Sequence, residues 1–125
     1  MAWSIHLICR YTDTGLRGLT LVEKPSLFRS EAWELTTAEA DILVGGWVYL
    51  HPTKAEGSAF GGKVMRVADA GSVTAHGRPE IALFIESSVK GKGQKWRGAN
   101  YGMAWSGGVV KGDLPHEIEN CLHRG

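Results

Sequence analysis

The chain has 125 residues, an apolar fraction of 43% and a formal net charge of +1. These values favour one globular domain over residues 1–125 and argue against wholesale disorder. No apolar run approaches the roughly 20 residues that a membrane-spanning helix needs, and the first residues lack the basic start of a secretory signal. We therefore expect a cytoplasmic protein with no membrane partner, in which Cys9 and Cys121 are reduced thiols.

Alternating apolar residues predict a series of short strands joined by glycine-rich turns. Strands are expected at residues 3–11, 16–22, 47–51, 63–68, 81–86, 99–105 and 109–111. Residues 27–35 are expected to be extended or irregular. In the strand at 47–51, Val48 and Leu50 point to one side, so the alternate residues point to the other.

The clearest helix signal is a capping box, in which Thr36 caps the amide of Glu39 and the Glu39 carboxylate reaches back. The apolar face of this helix is expected to hold Ala38, Ile42 and Leu43. Gly45 and Gly46 can supply the left-handed residue that ends it. A second short helix is predicted at residues 116–122, because an aspartate and a proline precede it in capping positions.

The five histidines complete no catalytic or metal-binding signature. His116 and Glu117 resemble the start of the zinc-binding helix motif, but Asn120 stands where the second histidine must be. The sequence therefore predicts no catalytic residue, metal site or cofactor. His51 alone is kept as a candidate, because it ends a strand beside a polar loop, where binding residues often lie.

The most informative compositional feature is a basic segment, residues 88–112, which contains five Lys or Arg and no acid. Phosphate contacts are predicted for Lys90, Lys92, Lys95 and Arg97. Trp96 and Tyr101 lie among or just beyond these cations and are predicted to stack on unpaired bases. The alternative is a solvated hairpin loop whose tryptophans are buried in the core.

The polar loop at residues 51–60 is the second candidate, because it mixes charges, hydroxyls and an aromatic residue between two glycine pairs. With the adjacent strand it would form a ligand pocket, whose predicted residues are Trp47, Tyr49, His51, Glu56 and Phe60. The alternative is a polar hairpin in which Lys54 and Glu56 form a weak surface pair.

The motifs GGWVYLHP at residues 45–52, FGGKV at 60–64, KG at 92–93, WRG at 96–98 and MAW at 103–105 resemble those of a small bacterial protein family, over residues 29–106. The order of elements also resembles the compact β-barrels of the PUA and EVE type. That resemblance implies a loop-rimmed cleft for RNA or a modified base. The residues that it places near the cleft are Trp47, Tyr49, His51, Phe60 and Trp96.

The predicted fold is a mostly β α+β domain, a small antiparallel and partly open barrel with one short helix and a second at the C-terminus. The predicted function is a non-enzymatic binding module for nucleic acid or a modified nucleobase, with His51 and Glu56 hydrogen-bonding the ligand. One alternative is a protein–protein module, such as an inhibitor or accessory protein. Another is a small-molecule pocket or enzyme centred on His51, and the oligomeric state stays open.

Overall fold

The computed structural model of the chain describes residues 3–13, 15–23, 26–53, 55–96 and 106–111. Within these residues lie nine strands: β1 (Trp3–Ile8), β2 (Tyr11–Thr12), β3 (Gly15–Leu16), β4 (Leu19–Glu23), β5 (Leu27–Trp33), β6 (Trp47–His51), β7 (Phe60–Val73), β8 (Pro79–Ser87) and β9 (Ser106–Lys111). They also contain one α-helix, α1 (Thr37–Leu43), and one 3-10 helix (Val89–Gly91). The mostly β class is confirmed. The strand predicted at 99–105 and the helix predicted at 116–122 lie outside the described residues.

Seven strands form one sheet in the order β4-β5-β8-β7-β6-β1-β9, and β2 pairs with β3 in a separate hairpin. β1 and β6 are parallel, whereas every other described pairing is antiparallel. The prediction of an antiparallel sheet is therefore wrong at this pair. Parallel neighbours need a long crossover connection, and residues 9–46 supply one. Since β4 and β9 end the sheet and no described pairing joins them, the sheet is not a closed barrel.

The predicted capping box is confirmed at the start of α1. The Thr36 hydroxyl accepts a hydrogen bond from the Glu39 amide at 3.1 Å, and the Thr36 amide donates to the Glu39 carboxylate at 3.0 Å. Gly45, at φ +85°, follows the helix in the left-handed conformation that glycine favours. The predicted apolar face is wrong in part, because Ala40 and Leu43 are buried whereas Ile42 is 44% exposed.

The apolar core lies on one face of the large sheet, here called the core face. Alternation along β1, β6 and β8 brings their apolar residues to this face, where Leu43 of α1 packs on them. Its fully buried members include Ile5, Val48, Leu50, Val64, Leu83 and Ile85. Burying side chains of this kind contributes about 1.5–3 kcal/mol each, so this layer supplies most of the drive to fold.

The opposite face, here called the histidine face, is also buried where β1 and β6 run side by side. All five residues of β6 are buried, and so are the last five of β1. The polar members Ser4, His6 and His51 are among them. Buried polar groups need hydrogen-bond partners, so the hydrogen bonds of these polar side chains bear on both the stability and the function of this face.

The strand predicted at 47–51 is confirmed with the same bounds, whereas β7, β8 and β9 are longer than predicted and β1 is shorter. The strand predicted at 16–22 is wrong as a single strand, because a turn at residues 17–18 separates β3 from β4. β7 continues to Val73, and a hairpin turn follows in which the Thr74 amide donates to the Arg78 carbonyl oxygen at 2.8 Å. Residues 27–33, expected to be extended or irregular, form the extended strand β5, whose register with β8 shifts between Ser30 and Trp33. Within the described part of the chain, no helix has the length and apolarity needed to cross a membrane.

Candidate functional site

Two histidines from neighbouring strands meet on the histidine face. The parallel register sets His6 opposite Tyr49 and Ile8 opposite His51, so the two imidazoles are diagonal neighbours on one side of the sheet. The His6 Nδ1 atom lies 2.6 Å from the His51 Nε2 atom. Both side chains are fully buried.

The hydrogen-bond partners fix which nitrogen carries each proton. The His51 Nδ1 atom lies 3.0 Å from the main-chain carbonyl oxygen of Glu56. A carbonyl only accepts, so the His51 Nδ1 atom carries the hydrogen and, in the neutral ring, Nε2 offers a lone pair. His6 Nδ1 must then donate to His51 Nε2. The two contacts form a directed chain from His6 through His51 to the β6–β7 loop.

Burial lowers the pKa of His51 below its usual value of 6.5, because the imidazolium form would lose its hydration. The hydrogen bond to the Glu56 carbonyl acts in the opposite direction and is the smaller effect. His51 is therefore neutral at pH 7, which is the state that the hydrogen-bond chain requires.

Aromatic rings surround the pair. The His6 ring is stacked on Tyr49 with centroids 4.6 Å apart, and Trp47 is stacked on the same Tyr49 at 6.0 Å. Trp96 meets both imidazoles edge-on, with its centroid 5.2 Å from that of His51 and 5.9 Å from that of His6. Such ring contacts contribute about 0.5–1.5 kcal/mol each beyond area burial, so the pair sits inside a packed cluster.

Two glycines allow the segment after β8 to lie directly on the sheet. A Cβ atom on Gly61 would lie 2.8 Å from the Gly91 Cα atom and 2.9 Å from a ring carbon of Tyr49. A Cβ atom on Gly91 would overlap the main chain of Gly61. Any side chain at either position would therefore hold the two main chains apart and uncover Tyr49.

Ser58 fastens the β6–β7 loop to residues 88–96, here called the lysine segment. Its hydroxyl donates to the Gly91 carbonyl oxygen at 2.5 Å and accepts from the Gln94 amide at 3.0 Å. Its carbonyl oxygen accepts from the Gly93 amide at 2.7 Å, and its amide donates to the Gln94 carbonyl oxygen at 2.9 Å. The Ser88 amide adds a bond to the Gly61 carbonyl oxygen at 3.0 Å. These bonds hold the segment at a fixed position.

The lysine segment presents its cations to solvent. Lys90, Lys92 and Lys95 are all exposed, while Gly91 between them is buried against the sheet. Val89 is 88% exposed, which is unusual for an apolar side chain on a well-anchored segment. The basic surface predicted from the sequence is therefore solvent-accessible at these three lysines. Arg97 and Tyr101 lie outside the described residues.

The structure brings together most of the predicted ligand residues but leaves their rings covered. Trp47, Tyr49 and His51 share the histidine face, and Trp96, which is half-buried, packs over the pair. Phe60 does not join them, because it pairs with Leu50 on the core face. There it packs edge-on against Phe28 at 5.1 Å, which corrects its predicted place near the cleft.

Glu56 takes part through its main chain instead of its carboxylate. Its carbonyl oxygen binds His51, while its carboxylate accepts a hydrogen bond from the Thr53 hydroxyl at 3.1 Å. The side chain is exposed on the loop. The predicted hydrogen bond from Glu56 to a ligand would therefore have to come from the outer side of the loop, away from the His51 ring.

Sequence reasoning did not single out His6. Its signal is the regular alternation of β1, which puts a histidine on the side opposite Ile5 and Leu7. That signal is meaningful only once β1 is known to lie beside β6, and the parallel pairing of strands so far apart in sequence leaves no local trace. His6 therefore enters the site through tertiary structure alone.

Among the described residues, no group of three or more His, Cys, Asp or Glu side chains could hold a metal ion. Cys9, on the core face, donates its thiol hydrogen to the Arg17 carbonyl oxygen at 3.2 Å. Burial raises the pKa of the Cys9 thiol to about 11, although nearby Arg17 opposes the shift. Cys9 is therefore a buried structural thiol with little nucleophilic character.

A scan against models of protein families found no match, and neither did searches of curated proteins and of solved structures. Any function must therefore be argued from the residues themselves.

Proposed function

We propose that the chain is a non-enzymatic binding module that contacts nucleic acid through its phosphate groups. The observation that carries this proposal is the exposure of Lys90, Lys92 and Lys95 on a segment whose main chain is bonded to the β6–β7 loop. Lysine ammonium groups bind phosphate as point charges, and each contact releases condensed counterions. No acid occurs in residues 88–112 to neutralise these cations.

Anchoring of the lysine segment supports the same proposal. A flexible loop loses conformational freedom when it binds, whereas a segment already fixed by several main-chain bonds loses little. Lys63 on β7 extends the cationic surface, since it is exposed and pairs with Trp47 on the histidine face, the side on which the segment lies. The ligand that fits this surface is a polyanion with regularly spaced charges.

We assign phosphate contacts and not base recognition to this surface. Stacking would need exposed rings, but Trp47 is only 7% exposed, Tyr49 is fully buried and Trp96 packs against the two histidines. Phosphate contacts carry no sequence information, so we expect weak preference among base sequences. A PUA-type barrel with a base-binding cleft, and action in the cytoplasm, remain hypotheses.

Two rival hypotheses assign the function to other residues of the same region. An enzyme centred on His51 would need the lysine segment to move aside, because this ring is fully buried. A protein-binding module would use Val89, which is 88% exposed between lysines, as an apolar anchor for an acidic partner. The salt dependence of binding separates phosphate contacts from such an apolar anchor.

The test is fluorescence anisotropy with a labelled single-stranded 20-mer and its duplex, at about 50 and 200 mM salt. Three phosphate contacts give a slope of about −2 in log K against log salt for single strands, or about a 20-fold loss of affinity over this range. We expect the Lys90→Gln/Lys92→Gln/Lys95→Gln variant to bind much more weakly than wild type. Its log K should also depend less steeply on log salt, by about the slope that three phosphate contacts contribute.

The matched control removes three cations elsewhere, in Arg10→Gln/Arg17→Gln/Arg78→Gln. These residues are exposed on the β2–β3 hairpin region and the β7–β8 turn. The control has the same net charge as the lysine variant and should retain the wild-type slope. Equal losses of affinity in the two variants would mean that binding depends on the net charge and not on the position of the lysines. Absence of binding at both salt concentrations would overturn the proposal and favour a protein partner.

A further inference from the structure

The His6–His51 contact has room for one hydrogen only. The two nitrogens are 2.6 Å apart, and His51 Nδ1 already carries its hydrogen toward the Glu56 carbonyl oxygen. The hydrogen between the rings belongs to His6 Nδ1. A proton added to His51 Nε2 would set two N–H groups against each other at a distance where neither has an acceptor. The rings would then have to separate.

The pair can hold a first extra proton without separating, on the far nitrogen of His6. That proton would place a positive charge inside a buried aromatic cluster, where an ion loses its hydration. Cation–π attraction from Tyr49, stacked on His6 at 4.6 Å, offsets part of this cost. Further acidification must protonate His51 Nε2, so the contact has an acid limit.

Aromatic rings and a main-chain carbonyl oxygen pack against the pair. β6 contributes Tyr49, and the β6–β7 loop contributes the Glu56 carbonyl oxygen, while the Glu56 carboxylate is bonded to Thr53. The lysine segment contributes the ring of Trp96. The charged groups on that segment, Lys90, Lys92 and Lys95, are exposed, and burial is the main influence that opposes protonation of His51.

The pair is connected to the lysine segment along two routes. One route is the hydrogen bond from His51 to Glu56, two residues before Ser58, which fastens the segment through its hydroxyl and main chain. The other is direct contact, since Trp96 ends the segment with its ring against both imidazoles. Separation of the imidazoles would disturb both routes at once.

We propose that the His6–His51 pair is a buried proton-binding site that controls the anchoring of the lysine segment. At neutral pH the pair is closed and residues 88–96 are bonded to Ser58 and Gly61. Protonation of His51 Nε2 opens the pair and releases the segment, while the strands beneath stay folded. The inference concerns anchoring and does not depend on what the lysines bind.

Hydrogen exchange measured by mass spectrometry tests this inference. The reporters are the amides of Ser88, Gly93 and Gln94, which bond to Gly61 and Ser58. After correction for intrinsic exchange, protection of the peptide over residues 88–96 should fall by about tenfold per pH unit below about 6.5, as expected for one coupled proton. Residues 81–86 of β8 should remain much more strongly protected than residues 88–96 at every pH, because only the segment opens locally.

A non-titrating pair supplies the decisive variant. In His6→Asn/His51→Gln, the asparagine amide replaces the Nδ1 donor and the glutamine oxygen replaces the Nε2 acceptor. Protection of residues 88–96 should then be independent of pH. The control is His76→Gln, which removes an exposed histidine from the β7–β8 turn and should retain the wild-type response.

Two results would overturn the inference. One is an equal loss of protection with pH in wild type and in the double variant, since the histidines would then not be the proton acceptors. The other is equal protection of residues 81–86 and 88–96 at low pH, which would mean that both exchange through global unfolding. If the double variant fails to fold, NMR titration of the wild-type histidine ring protons decides. His51 must then titrate together with the indole signal of Trp96, and a constant Trp96 signal contradicts the inference.

Discussion

The two halves of the histidine face have opposite surfaces although they belong to one continuous sheet. On β1 and β6 the face is covered, and it holds His6, Tyr49 and His51 in full burial. On β5, β7 and β8 it is open at its charged side chains, and it holds the partly exposed Arg29 and the exposed Arg66 around the buried ring of Phe84. We call these the covered half and the open half.

Polar side chains on this one face are stabilised in two different ways. In the covered half, the imidazoles are bonded to each other and to a main-chain carbonyl, as buried polar groups must be. In the open half, the Arg66 side chain is exposed to solvent, and the partly buried Arg29 forms a salt bridge with Glu31 at 2.9 Å. Stability should therefore depend strongly on residues of the covered half and weakly on those of the open half.

The largest expected effect is from Tyr49→Ala, which removes the fully buried ring between His6 and Trp47. Truncation of a buried aromatic side chain costs about 3–5 kcal/mol of unfolding free energy. Urea denaturation followed by circular dichroism measures it. A loss below about 1 kcal/mol would contradict the closed packing of the covered half.

The second prediction concerns the close approach that covers Tyr49. In Gly91→Ala, the new methyl group would overlap the main chain of Gly61, and relief requires the lysine segment to shift. Overpacking of this kind costs about 1–3 kcal/mol, again measured by urea denaturation.

The control for this variant is Gly57→Ala, in the same loop contact. A Cβ atom there would lie 3.1 Å from Gly93, so a small shift accommodates it. It should cost clearly less than Gly91→Ala. Equal costs for the two variants would mean that the lysine segment is not held tightly against β7.

The third prediction uses the lowered pKa of His51. Because the folded chain binds this proton less readily than the unfolded chain, the stability that His51 contributes is fully present above about pH 6.5 and is lost as the pH falls toward the folded pKa. The urea midpoint should therefore decrease from pH 7 to pH 5.

In His51→Gln, this part of the decrease should be absent, whereas His76→Gln should retain it, because His76 is exposed in a turn. An unchanged pH dependence in His51→Gln would show that other groups account for the acid sensitivity. It would also remove His51 as the titrating member of the buried pair.

Local chemistry predicted the local parts of this molecule. Apolar alternation and flanking glycines predicted β6 with its observed bounds, and the capping box at Thr36 predicted the start of α1. The pairing of β1 with β6 could not be predicted, because no local sequence pattern in either strand identifies the other as its parallel neighbour. His6 and His51 were consequently not recognised as a pair, and the position of Phe60 on the core face was not predicted.

The candidate site, like the fold, could be predicted only where its signal is local in the sequence. The exposure of Lys90, Lys92 and Lys95 agrees with the charge pattern, since solvated lysines need no partner. The burial of Trp47 and Tyr49 was not predicted, because a strand with one aromatic side reads equally well as a cleft wall or as a covered surface. Gly91 lies against Gly61 beside Tyr49, and Trp96 packs on the two histidines, from more than 35 positions away in sequence.

The smallest expected effect is in the open half, at Arg66. Its guanidinium carbon lies 3.5 Å from the centroid of the Phe84 ring, but the side chain is exposed. An exposed cation–π contact contributes about 0.5–1 kcal/mol, so Arg66→Ala should lower the unfolding free energy by no more than that. Lys63→Ala on the same strand should change it by less than about 0.5 kcal/mol, as surface substitutions usually do.

This small difference is informative because both variants remove one positive charge from the same face. A double-mutant cycle of Arg66→Ala with Phe84→Leu isolates the ring contact from the charge. A coupling near zero would make Arg66 a solvated cation like Lys63. A coupling above about 2 kcal/mol would contradict the division into halves, because Arg66 would then be as tightly packed as the residues of the covered half.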